Sequence, residues 1–127
     1  MAFGNLKFDT LTTSDAKNTN TEKSLDTSYI FNGVAKGWTH FQGTSTAASI
    51  DGFNISSIDD DGTGDYGLHL TNNMSNAVYA GVAGTSGDGV RVFGLATSKI
   101  DRLIGISNTG SVEDGSFYTT QIDGDLA

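Results

Sequence analysis

Seventeen glycines and no proline in 127 residues constrain this chain more than any other feature. Glycine runs at roughly 7% and proline at roughly 5% of an average chain, so the turns here have to be built by Gly, Asn and Asp alone. Many short hairpins would use glycine in this way. Charged residues make up only 17% of the chain and hydrophobic ones 36%. An average globular chain is about 25% charged, so this surface is finished largely by Thr, Ser, Asn and Gly, the composition of a β-rich protein.

Apolar and polar residues alternate with period two between glycine-rich breaks, which is the strand-turn-strand pattern and not the helical one. Strands are predicted over 5–13, 28–34, 37–42, 53–58, 66–71, 78–84, 90–96, 103–107 and 116–122. No segment carries a helical stripe, although 96–104 has room for a turn. The polar stretch 14–23 has nothing to bury, so residues 1–24 read as an arm with a joint and 25–127 as the domain. About eight short strands at this spacing predict an all-β fold, a β-sandwich of jelly-roll-like type with an extended N-terminal arm. A length of 127 residues suits one such core and not two. No internal repeat is evident, since the Gly-Thr pairs at Gly43, Gly62 and Gly84 are ordinary turn dipeptides.

Charge and composition exclude several classes of function. A formal net charge of -8, with the few Lys and Arg scattered, repels a phosphate backbone, so no nucleic-acid partner is expected. The absence of Cys removes disulfides and thiolate metal sites. Residues 1–9 have neither a basic nor an apolar region of the signal-peptide kind, and no apolar run approaches the roughly 18 residues of a membrane helix. The expectation is a chain made in a bacterial cytoplasm, without membrane insertion.

Candidates for chemistry are few. Asp59, Asp61 and Thr63 have the alternate spacing of an oxygen-ligand calcium loop, but Leu70 stands where a closing bidentate Glu belongs. The cluster Asp59, Asp60, Asp61 and Asp65 therefore reads as a solvated hairpin turn, with weak calcium binding the sharper alternative. His40 and His69 are the only histidines, and no nucleophile elbow, paired-acid motif or zinc spacing accompanies either. Alternation turns His69 away from Leu68 and Leu70, and puts His40 on the side of Trp38. No lysine follows the glycines of 84–89 or 105–110 at P-loop spacing. No catalytic residue, cofactor or resident metal is expected. The aromatics Tyr29, Trp38, Tyr66, Tyr79, Phe93, Phe117 and Tyr118 read mainly as core or subunit seam, and otherwise as ligand contacts.

One stretch carries a resemblance. Gly33-Val34-Ala35-Lys36-Gly37-Trp38, Phe41, Gly43-Thr44, Phe53-Asn54-Ile55-Ser56-Ser57-Ile58, Asp61-Gly62-Thr63-Gly64-Asp65-Tyr66, Met74 and Asn76-Ala77-Val78-Tyr79 keep a characteristic order and spacing over 25–84. This half of the chain resembles a short β-domain of tail-fibre and other virion structural proteins of tailed bacteriophages, of the kind found in phages of marine bacteria and cyanobacteria. Gly37, His40 and Asp51-Gly52 depart from the residues usual there, so a salt link made at the last pair would be absent. The zone after Val90 carries no such likeness.

The resemblance implies a virion surface component, self-associating as a homotrimer and docking onto major capsid or tail proteins. A short chain without a fibre shaft fits a capsid decoration protein or head fibre. The alternative is a tail-fibre tip that binds a receptor or a host surface glycan. An extended strand at the start would dock by adding to a neighbour's sheet edge, through Phe3, Leu6, Phe8 and Leu11. The polar loops 85–89 and 108–115 would touch a partner, with Asp88, Asn108 and Asp114 as contact candidates.

Overall fold

The computed structural model describes residues 10–13 and 23–127. The chain divides into two compact units, Met1–Val34 and Ala35–Ala127. In the first, β1 (Thr10–Thr13) pairs antiparallel with β2 (Lys23–Asp26), Leu11 standing opposite Leu25. Leu11 is thus in a hairpin strand, whereas Phe3, Leu6 and Phe8 lie outside the described residues. The strand predicted over 28–34 is corrected: Thr27–Gly33 is a helix, α1. Tyr29-Ile30-Phe31 is too short an apolar run for periodicity to tell strand from helix. The deciding signals are at its ends, with Asp26 ahead as a helix-capping residue type and Gly33 behind as a helix-ending one.

The second unit is an all-β sandwich. Its strands are β3 (Gly37–Gln42), β4 (Ala48–Phe53), β5 (Ile55–Gly62), β6 (Asp65–Leu70), β7 (Ala80–Thr85), β8 (Gly89–Ala96), β9 (Lys99–Ile106) and β10 (Tyr118–Asp123). They form two four-stranded sheets in the orders β4-β3-β10-β7 and β5-β6-β9-β8, with antiparallel pairs throughout. First and last strands of the sandwich are neighbours, as in a jelly roll. The hairpins β3–β4, β5–β6 and β8–β9 each stay within one sheet, where a jelly roll sends most consecutive strands across.

The strand predicted over 53–58 is broken where the chain changes sheets. Asn54 takes a φ of 60°, a left-handed conformation that Asn tolerates better than most residues. The corner is held from both sides: Asn54 Nδ2 donates to the carbonyls of Lys36 at 2.8 Å and Asn72 at 3.1 Å, and its Oδ1 accepts the Asn72 amide at 2.7 Å. Both polar ends of this buried side chain are satisfied, which is what allows it to be buried.

Alternation builds the core between the sheets. Thr39 and Phe41 of β3 face Tyr66, Leu68 and Leu70 of β6, with Tyr118 and Ile122 of β10 and Ile100 and Leu103 of β9 closing around them. Three rings bridge the layers. Phe41 stacks on Tyr118 at 5.1 Å, and Tyr66 from the other sheet meets Phe41 at 5.3 Å and Tyr118 at 5.0 Å. Fully burying a large apolar side chain stabilises by roughly 1.5–3 kcal/mol, so this cluster contributes substantially to joining the sheets.

Register gathers four connections at one end. Tyr118 lies opposite both Phe41 and Thr85 in the first sheet. In the second, Gly89 lies opposite Ile106 and Asp65 opposite Ile104. Connections 43–47, 63–64, 86–88 and 107–117 therefore sit together, and the Asn54 corner, 71–79 and 97–98 lie at the other end. Among the described residues no helix is long and apolar enough to cross a membrane.

Candidate functional site

Two surfaces of the sandwich stand out. The first is the outward face of β4-β3-β10-β7. Strand pairing sets Phe53, Trp38, Gln121 and Val82 in one row across the whole sheet, and Asp51, His40, Thr119 and Gly84 in the next. Trp38 is 39%, Phe53 54% and Val82 59% exposed. Phe117 extends the patch at its end, its ring meeting His40 edge-on at 5.3 Å. No Lys or Arg occurs in these strands, and their acids are Asp51 and Asp123. Both edges are open: β4 is exposed along its length, and β7, Ala80–Thr85, carries no charge. An uncharged edge without Pro or Lys, as β7 is, is the kind that pairs with another strand.

The second surface is the loop end. The Asn108 amide donates to Asp88 Oδ2 at 2.8 Å, so two of the three contact candidates meet and tie their loops together. The Ser86 amide donates to the Phe117 carbonyl at 3.0 Å, and the Phe117 amide to Ser86 Oγ at 3.2 Å. Asp114 has another job: its Oδ1 accepts the Gly64 amide at 2.5 Å and lies 2.9 Å from the Tyr66 hydroxyl. That hydroxyl lies 2.5 Å from the Gly43 carbonyl as well and shares its one proton between the two oxygens. Tyr118 Oη accepts the Gly115 amide at 2.8 Å and donates to the Glu113 carbonyl at 3.1 Å. The long loop is thus anchored on the hydroxyl ends of the bridging tyrosines. Burial first, and Asp114 second, push the Tyr66 phenol well above its ordinary range.

Close approach explains two glycines here. A Cβ on Gly105 would stand 2.0 Å from Tyr118 Oη and 2.5 Å from the Glu113 carbonyl oxygen. Gly64, at φ +63°, has the Glu113 carbonyl oxygen 2.3 Å from where its Cβ would be. No sequence pattern announces these contacts: Gly64 and Glu113 belong to distant segments, and Gly105 meets Glu113 and Tyr118 only because the loop between them folds back.

The acid cluster is not a solvated turn as a whole. Asp59, Asp60 and Asp61 lie within β5, and the turn itself is Thr63-Gly64. The carboxylates are engaged separately. His69 donates Nε2–H to Asp59 Oδ2 at 2.6 Å, Asp60 Oδ1 accepts the Gly62 amide at 3.2 Å, and Asp65 holds Arg102. Among the described residues no group of three or more His, Cys, Asp or Glu is arranged to hold a metal ion. His40 and Trp38 do share the outward side of β3, and His69 points outward from β6. Of the aromatics, Tyr66 and Tyr118 are core and Tyr79 is half-buried, while Tyr29, Trp38, Phe93 and Phe117 are exposed. Comparison with protein-family models, with curated proteins and with solved structures yields no match.

Proposed function

We propose that this chain is a bacteriophage virion surface protein, an oligomeric capsid decoration or head-fibre component that works by self-association and docking and carries out no catalysis. The observation that carries the reading is the outward face of β4-β3-β10-β7, where Phe53, Trp38 and Val82 stand exposed in strands without Lys or Arg. The other sheet holds Asp59, Asp60, Asp61, Asp65 and Asp101 together with Arg91, Lys99 and Arg102 in its strands. The strands of the first sheet carry two charged side chains, Asp51 and Asp123, against eight in the second, so two copies meeting through the first desolvate fewer charges. Association costs on the order of 4–15 kcal/mol in lost freedom, which a row of partly exposed aromatic and branched side chains helps offset once water is excluded. The virion setting, and a trimer in preference to a dimer, are supported by the resemblance of residues 25–84 to phage structural domains.

Sedimentation equilibrium of the full chain tests the reading. An oligomer at micromolar concentration is the expected result, and a stable monomer there overturns the assembly claim. Incorporation of a chain lacking residues 1–23 tests the docking arm: folding is retained and attachment to the particle is lost. A second reading, a fibre tip that recognises a host receptor, is favoured by the four connections gathered at one end and the Asp88–Asn108 tie between them. A cell-adsorption assay separates the two.

A further inference from the structure

The outward face of the other sheet holds a cleft of about 390 Å³ that self-association does not use. Its floor is Ile104. This residue lies opposite Asp65 and Arg91 on the neighbouring strands and is absent from the central core, yet is only 6% exposed. The long loop folds back beside it, Val112 bridging to Ile106, and Phe93 stands on the other side. The cleft is therefore apolar below and polar at the rim, where Asp61, Thr63, Arg91 and Arg102 stand. A volume in the roughly 300–1,000 Å³ range of small-molecule sites, with few polar groups over an apolar floor, suits a sugar ring.

The two arginines are not equivalent. Arg102 is committed: its Nε reaches both Asp65 oxygens, at 3.2 and 3.1 Å, a terminal nitrogen binds Asp65 again, and its guanidinium lies 5.2 Å over the Phe93 ring. Arg91, opposite Ile104 on β8, is exposed and lines the same cleft, and its side chain makes no hydrogen bond or ion pair among the described residues. Acids outnumber bases by 15 to 7 in this chain, yet among the described residues this guanidinium has no ion-pair partner and stands beside a fixed aromatic ring. A planar guanidinium fork matches a carboxylate through two parallel hydrogen bonds.

We propose that this cleft binds an acidic sugar of the hexuronate type. The apolar face of the ring packs on Phe93, Ile104 and Val112, its carboxylate pairs with Arg91, and its hydroxyls reach Asp61 and Thr63. Arg102 is a positioning residue that holds Phe93 and Asp65 in place. This goes beyond the assembly reading and does not depend on it, since the cleft lies on the opposite sheet.

Titration of the full chain with glucuronate, glucose and acetate, followed by amide chemical shifts, tests the site. Glucuronate is expected to shift the amides around Arg91, Phe93 and Ile104 and to bind about tenfold more tightly than either control, because it alone supplies both ring and carboxylate. Arg91→Gln, an exposed substitution that keeps the dispersed spectrum, abolishes the preference over glucose, and Arg91→Lys retains part of it. Equal binding of acetate overturns the sugar, equal binding of glucose overturns the carboxylate contact, and an absence of shifts or an unaltered Arg91→Gln overturns the site. Sedimentation is unaffected by any of these outcomes, so the two proposals fail separately.

Discussion

The two sheets are built alike and finished differently. Each has four antiparallel strands and sends one set of alternate residues into a shared core. Outward, the first sheet shows Trp38, Phe53, Val82, Thr119 and Gln121 with His40 and Asp51, and the second shows Asp59, Asp65, His69, Lys99 and Arg102. On the second sheet opposite charges face one another: Lys99 pairs with Asp101, and this contact raises the lysine and lowers the aspartate from their ordinary values. Inward residues are dictated by packing, which is unforgiving of volume. Outward residues are free to differ, and the proposals of self-association and of ligand binding rest on their contrast.

The largest effect is expected where both sheets depend on one contact. Gly105→Ala drives a methyl group into Tyr118 Oη and the Glu113 carbonyl, and is expected to cost about 3 kcal/mol in urea unfolding through overpacking and a lost hydrogen bond. An unchanged midpoint would show that the loop anchor does not join the layers.

Tyr66→Phe, which strips two acceptors of their shared donor, is expected to cost roughly 1–3 kcal/mol. It also reports on pH. A tyrosine in the unfolded chain ionises near pH 10. The folded phenol is held above that, so the stability linked to it is fully present below about pH 10 and falls as the pH rises further. Thermal midpoints should hold from about pH 8 to about pH 10 and drop above that in the wild type, less so in Tyr66→Phe, the remaining slope reflecting Tyr79, whose phenol is raised by burial.

Trp38→Asp on one face and Arg102→Gln on the other break the contrast directly. The first is expected to weaken self-association by about tenfold or more with little change in folding, and the second to leave it unaltered. Equal effects would mean that the faces do not differ in role. The smallest effect belongs to the core: Thr120 Oγ1 is buried without a hydrogen-bond partner among the described residues, so Thr120→Val should stabilise by about 1 kcal/mol in the same urea assay.

Strands were legible wherever one face is covered and the other is not. The stretch Gly37–Gln42 alternates strictly between buried and less buried residues and matches its prediction residue for residue, and β6 and β8 fall within one position of theirs. Alternation fails on β4, which is exposed on both sides at a sheet edge and left no signal over 48–52. It fails again on α1, which is shorter than the window in which period two and period 3.6 can be told apart. The start of β9 at Lys99 rather than Leu103 has a local cause, since Thr97-Ser98 closes a tight hairpin onto β8. Asp114 shows the limit for sites. It reads as a loop residue offered to a partner, and it serves the Gly64 amide and the Tyr66 hydroxyl.

The amino-acid order by itself determined that the chain is β-rich, that glycine makes its turns, and which residues of a strand share a face, because period-two patterning and turn chemistry act between near neighbours. Only the tertiary structure decided which strands pair, that Trp38, Phe53 and Val82 fall in one row, and that Arg91 stands beside Phe93 over Ile104. Those juxtapositions depend on sheet order and register, which arise when distant segments bury a common core and leave no mark in any local stretch of sequence.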